Sequence, residues 1–148
     1  MKVETFSLCD FASADAAAKL NIIGIFDTIY ARGVPATHGL CALAVRVRFD
    51  RIEEGNKKVK ISFIDSYGNS VLPSMEALIP VRMGPDASTA IAQVVSIMSQ
   101  IKLPSFGEYS IDLAIDGRHE ASTPLYVRQI QVPPQQLIQP PQTPTPAE

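Results

Sequence analysis

What this chain has little of narrows it first. Cysteine occurs twice in 148 residues, at Cys9 and Cys41, far below the density of a disulfide framework. Neither sign of charge is in large excess. Thirteen basic residues stand against fifteen acidic ones, a net charge of −2, so no global field favours nucleic acid or an acidic membrane. Nowhere do apolar residues run for the roughly 18 positions that would span a bilayer. The opening "MKVETFSLCD" has an acid at Glu4 and no apolar stretch of signal-peptide length. A cytoplasmic protein with no membrane partner is expected. Both cysteines fall in strand-like runs, where a free thiol behaves as a small buried hydrophobe. A disulfide, or a metal set with His38 and His119, is the alternative. No C-x-x-C spacing supports the metal, so no metal or cofactor is assigned.

What is present fits one globular domain. The chain is 46% hydrophobic and 19% charged, and at this length a single core buries roughly 70% of the unfolded surface. The composition changes near Ile130. "QVPPQQLIQPPQTPTPAE" holds six of the twelve prolines and almost nothing to bury. Residues 1–129 are expected to form the domain, and residues 130–148 an extended, disordered Pro/Gln-rich tail. Pro141 to Pro144 makes a P-x-x-P, but no Arg or Lys follows Arg128. Recognition by a proline-binding domain is therefore not favoured. There is no internal repeat.

Before the tail the apolar period is mostly two, the period of strands. "LNIIGIFDTIY", Leu20 to Tyr30, is apolar on both parities, as a central strand covered on both sides would be. "CALAVRVRF" alternates Cys41, Leu43, Val45, Val47 and Phe49 with Arg46 and Arg48. "KVKISFID" repeats the pattern with Val59, Ile61 and Phe63. A three-residue turn at Glu54-Gly55-Asn56 would join these two as a hairpin, with Phe49 against Ile61, Val47 against Phe63 and Asp50 against Lys60.

A second hairpin is expected in "EYSIDLAIDGRHEASTPLYV". A three-residue turn through Asp116-Gly117-Arg118 opposes Ile115 to His119, Leu113 to Ala121, Ile111 to Thr123 and Tyr109 to Leu125, with Gly117 supplying a positive φ. Ser88–Leu103 fits a helical stripe or a strand, and its β-branched content favours strand. Pro73, Pro80 and Pro85 put "VLPSMEALIPVRM" at an edge. The predicted fold is all-β, an antiparallel two-sheet sandwich, immunoglobulin-like or similar, of seven to nine strands.

Catalytic patterns are thin, and no catalytic residue is assigned. Asp112 and Asp116 would stand about 13 Å apart along a strand at ~3.3 Å per residue, beyond the ~5–9.5 Å of glycosidase carboxylate pairs. Asp112 and Glu120 would be diagonal neighbours on an open face. Ser122 and His119 would lie on opposite faces of a strand, and no G-x-S-x-G elbow is present. His38, in "GVPATHG", reads as a loop histidine. No Gly-rich phosphate loop follows a strand, and "DSYGN" reads as a turn.

Charge placement is the more informative feature. Arg46, Arg48, Lys58 and Lys60 would share the outer face of the first hairpin. Glu108, Asp112, Asp116 and Glu120 would share that of the second. No aromatics interleave with the basic stripe, so single-stranded nucleic acid is the least favoured ligand. These eight residues are the candidate binding set.

The segments "KVETFSLCDFA", "KLNIIGIFDTIYA", "LAVRVRF" and "FGEYSIDLAIDG" followed by "STPLYV" together resemble, in that order, a family of small bacterial domains of unknown function. The resemblance covers most of residues 2 to 128. It implies a compact β-sandwich and brings no activity or catalytic residue. The expected function is a non-catalytic binding module for a protein partner or for self-association. The alternative is a small hydrolase or carbohydrate-active or carbohydrate-binding domain using loop residues near His38.

Overall fold

The computed structural model describes residues 1–131. The chain forms nine strands: β1 (Lys2–Ala14), β2 (Leu20–Ile25), β3 (Thr28–Ala31), β4 (Ala36–Asp50), β5 (Gly55–Asp65), β6 (Ser70–Val81), β7 (Thr89–Leu103), β8 (Gly107–Ile115) and β9 (Arg118–Gln129). They make two sheets, ordered β2-β1-β4-β7 and β3-β9-β8-β5-β6. Every pair is antiparallel except β3 with β9. The fold is the expected all-β, two-sheet sandwich. The proposed disordered tail and its P-x-x-P fall, from residue 132 onward, outside the described residues.

The alternating residues of β4, β5 and β8 meet between the sheets. Leu43, Val45, Val47 and Phe49 join Val59, Ile61, Phe63, Tyr109, Ile111, Leu113 and Ile115 in one buried cluster. Tyr109 sets its ring edge to Phe63, and its hydroxyl donates to the carbonyl of Ser105 at 2.7 Å while accepting the Ser105 amide at 3.1 Å. A buried phenol is thereby satisfied by the backbone just upstream, as in the tyrosine corner of other sandwiches.

The first expected hairpin is not formed. β4 and β5 lie in different sheets, so Phe49 and Ile61 share a core without being strand neighbours, and Asp50 does not face Lys60. A 3-10 turn at Arg51–Glu53 carries the chain across. The Glu53 carboxylate accepts the Asp50 amide at 2.8 Å, and the Arg51 guanidinium donates to the carbonyls of Gly84 and Ala87. Alternation fixes which residues face the core but not which strand lies alongside. A crossover between sheets leaves the same pattern as a hairpin.

Leu20–Tyr30 is not a central strand either. It divides into β2 and β3, which are edge strands of different sheets, and Gly24 sits within it at φ 68. The strand covered on both sides is β4, where Cys41 to Val45 are all buried. β1 is shared: Lys2 to Cys9 pair with β4, and Cys9 to Ala14 pair with β2. The β1–β2 hairpin lies on the outer side of β4 and β7, where Ala42 and Ala44 pack with Ala12, Leu20, Ile22 and Val95. The carbonyl of Ala18, in its turn, accepts the Gln93 side-chain amide. Alanines on that face of β4 leave room for the hairpin to seat.

Ser88–Leu103 contains β7, a strand as expected, but its apolar face is split. Ile101 and Leu103 are core residues, whereas Ile91 and Ile97 are exposed. Gln100, at φ 53, breaks the alternation between the two halves. β6, with Pro73 and Pro80, is an edge strand as expected.

Candidate functional site

The outer face of the five-stranded sheet gathers the densest polar chemistry. Register places Ser62 of β5 opposite Asp112 of β8, and Asp112 opposite Ser122 of β9. One row along, Lys60 lies opposite Ala114 and Ala114 opposite His119. Asp112 Oδ1 accepts hydroxyl protons from Ser110 at 2.6 Å and from Ser122 at 2.7 Å. Lys58 and Lys60 approach Glu76 of β6 at 3.0 and 4.0 Å. The hydrogen bond from Lys58 holds the Glu76 carboxyl below its ordinary range. Lys58, Lys60, Ser62, Glu76, Asp112 and His119 rim a groove of about 470 Å³.

His119 and Ser122 do not point to opposite faces. His119 Nε2 lies 2.7 Å from the Ser122 hydroxyl. The second hairpin forms with Tyr109, Ile111 and Leu113 opposite Leu125, Thr123 and Ala121 as expected, but the register then shifts, so that His119 faces Ala114 and Arg118 faces Ile115. Glu120 is the extra residue of this bulge, and the turn has two residues, Asp116 (φ 51) and Gly117 (φ 81). Two successive positive φ values are those of a type I′ turn, whose twist suits a hairpin. The bulge absorbs the mismatch between that turn and the register of the core.

The resulting order is histidine, serine, acid, with serine in the middle. In a hydrolytic relay the imidazole accepts the serine proton and the acid orients the imidazole. Here the Ser122 proton goes to Asp112. The hydroxyl therefore offers His119 a lone pair. The arrangement fixes a carboxylate and an imidazole in place on an open face.

The other expected binding residues are dispersed. Arg46 and Arg48 lie on the four-stranded sheet and both bind Glu4, through Nε atoms at 2.8 and 2.6 Å. Those two guanidinium groups hold the Glu4 carboxyl below its ordinary range. The basic stripe is thus divided between two sheets. Asp116 belongs to the turn: its Oδ1 accepts the Lys58 amide at 2.9 Å and its Oδ2 meets Lys57 Nζ at 3.2 Å. Glu120 pairs with Arg118 Nε at 2.6 Å and lines a cleft of about 280 Å³ at the end of the sandwich, beside Phe49 and Ile115. Glu108 stands opposite Tyr126 near the far end of β8. Of the eight residues, Lys58, Lys60 and Asp112 share the groove. Ser62, Glu76 and His119, which also line it, were not in the expected set, nor were Ser110 and Ser122, which hold Asp112. Glu76 would have been found by pairing β5 with the next strand in sequence instead of the previous one.

His38 is a strand residue of β4, opposite Ile101 of β7. Its ring packs on Phe26 with centroids 5.6 Å apart, and Nε2 is buried with no hydrogen-bond partner among the described residues. Asp10, Phe26, Thr28, Ile29, Tyr30 and His38 line a pocket of about 290 Å³. Cys9 and Cys41 are free and buried. Burial raises both thiols above the ordinary range, that of Cys41 to about 11, which suppresses the thiolate. Among the described residues no group of three His, Cys, Asp or Glu side chains is placed to hold a metal, and no helix is long and apolar enough to cross a membrane.

Residues 4–128 match the model of a family of unknown function (DUF6941), and the chain belongs to that family. No curated protein matches the chain.

Proposed function

As a member of a family with no assigned activity, the chain has to be understood from its surfaces, and we propose that it is a non-catalytic binding module. Its contact surface for a protein partner is the outer face of the five-stranded sheet. One observation carries this reading: Asp112, held by two serine hydroxyls, lies in a groove rimmed by Lys58, Lys60, Glu76 and His119. Fixed charges of both signs on an uncovered sheet suit recognition of a polar protein surface, where complementarity governs partner choice and association rate. Leu78, exposed and opposite Lys58, adds an apolar contact at the rim. The two buried free thiols suit a reducing compartment, which supports a cytoplasmic location.

The test compares the parent with Lys58→Glu/Lys60→Glu, each immobilised and exposed to lysate of its source cells. The expected result is a protein retained by the parent at low salt, released by high salt and not held by the variant, whose circular dichroism is unchanged. Equal retention by both would remove the groove from the contact.

The pocket at His38 favours a second reading, binding of a small polar ligand such as a carbohydrate. It brings His38, whose Nε2 has no partner among the described residues, together with the Asp10 carboxylate and the exposed Tyr30. Chemical-shift mapping with a panel of sugars tests it, and perturbations confined to Asp10, Tyr30 and His38 would favour it over the module.

A further inference from the structure

A sandwich exposes its edges, and this one defends them unequally. β6 carries Pro73 and Pro80, β2 has six residues with Gly24 at φ 68, and β3 has four residues. Prolines, short length and irregular backbone are the usual means of blocking edge-to-edge pairing. β7 has none of these over most of its length. Among the described residues it is a 15-residue edge strand paired on one side, with β4. From Thr89 to Ile101 it contains no charge and no proline. Ile91 and Ile97, on its outer face, are 38% and 61% exposed.

The geometry points to β7 as a self-pairing edge that joins two copies of this chain, antiparallel, about a two-fold axis at Val94. Two independent features select that register. It sets Ile91 of one copy against Ile97 of the other, covering both exposed isoleucines twice over. It also sets Asp86, in the turn before β7, towards Lys102 near its end. Both are exposed, and neither joins an ion pair among the described residues. An acid before an uncharged strand and a base after it are complementary to themselves only when the strands run antiparallel. Pairing from Thr89 to Ser99 would merge the two four-stranded sheets into one. It uses backbone groups that no other strand among the described residues takes up, so the contact depends little on salt except at its two charged ends. The β7 edge belongs to the four-stranded sheet, whereas the groove lies on the five-stranded one.

Sedimentation equilibrium on the whole chain, from about 10 µM to 1 mM, tests it together with three variants. The parent is expected to form a concentration-dependent dimer. Ile97→Lys should weaken it about tenfold or more, because each change enters a two-fold contact twice. Asp86→Lys should weaken it similarly, and Asp86→Lys/Lys102→Asp should restore it. That rescue also shows that exposed substitutions have not simply impaired folding. A parent monomeric throughout, a dimer indifferent to Ile97→Lys, or a charge exchange without rescue would each overturn the proposal. A dimer lost in Lys58→Glu/Lys60→Glu but kept in Ile97→Lys would also overturn it, and would move the contact to the groove.

Discussion

His119 Nε2 lies 2.7 Å from the Ser122 hydroxyl although they stand three positions apart on a strand, because the bulge at Glu120 changes the face that His119 occupies. The Ser122 proton is already given to Asp112, so Nε2 has to be the donor to Ser122. Long-range proton–nitrogen NMR of neutral His119 should therefore show the Nε2–H tautomer, and Ser122→Ala should relax that preference. A dominant Nδ1–H tautomer in the parent would reverse the direction of the chain and reopen a serine-base reading.

Neighbours on β8 should differ sharply in their contribution to stability. Leu113 is fully buried between the sheets, and Leu113→Ala should cost ~2–5 kcal/mol for lost transfer and the cavity left behind. Asp112 is on the opposite face with two serine hydroxyls. Asp112→Ala should cost about 1 kcal/mol, since serines left behind on an open face can bond to water. Urea unfolding of both variants measures the ranking, and the reverse order would mean that β8 is turned over.

Gly117 shows how much of the hairpin rests on two backbone angles. It sits at φ 81 with open space where a Cβ would go, so substitution meets no clash and isolates the conformational cost. Gly117→Ala should lose about 1–2 kcal/mol, the penalty for an L-residue in the left-handed region. Gly117→Asn should lose less, because Asn tolerates that region. Equal losses in thermal melts would indicate that the turn relaxes to another type.

The strands and their inward residues were legible because each sheet has one face in a shared core. Val47, Phe49, Ile61 and Phe63 had to alternate whatever their partners were. Partner choice was not legible. Phe49 and Ile61 could satisfy the same pattern across a hairpin or across a sandwich, and the polar contacts of Arg51 and Glu53 that carry the crossover leave no periodic mark. The groove was seen in part for the same reason. Lys58, Lys60 and Asp112 alternate outward as expected, but the bulge that brings in His119 and the pairing that brings in Glu76 are properties of strand neighbours. The register shift at Glu120 and the left-handed backbone of Gln100 each reassigned a face that strict alternation had fixed.

The depressed carboxylates set the sign of the pH dependence. Glu4 lies below its ordinary value of 4.5 through Arg46 and then Arg48, and Glu76 lies below the same value through Lys58. Asp116 lies below its ordinary 3.8, chiefly through the Lys58 backbone amide, and so does Asp65, chiefly through that of Asn69. Within the window between folded and unfolded values the unfolded chain binds more protons, so stability rises with pH there. It is fully present above the ordinary values and is lost as pH falls through the depressed ones. The melting temperature should hold from neutral pH down to about 5 and decline below it. Glu4→Gln discriminates this from general acid destabilisation. The variant has no proton to bind at that site and leaves Arg46 and Arg48 without their shared counter-ion, so it should melt below the parent at pH 7. The gap should narrow as acid protonates Glu4 in the parent. Parallel curves across the whole range would show that the Glu4–arginine cluster contributes nothing that depends on its charge.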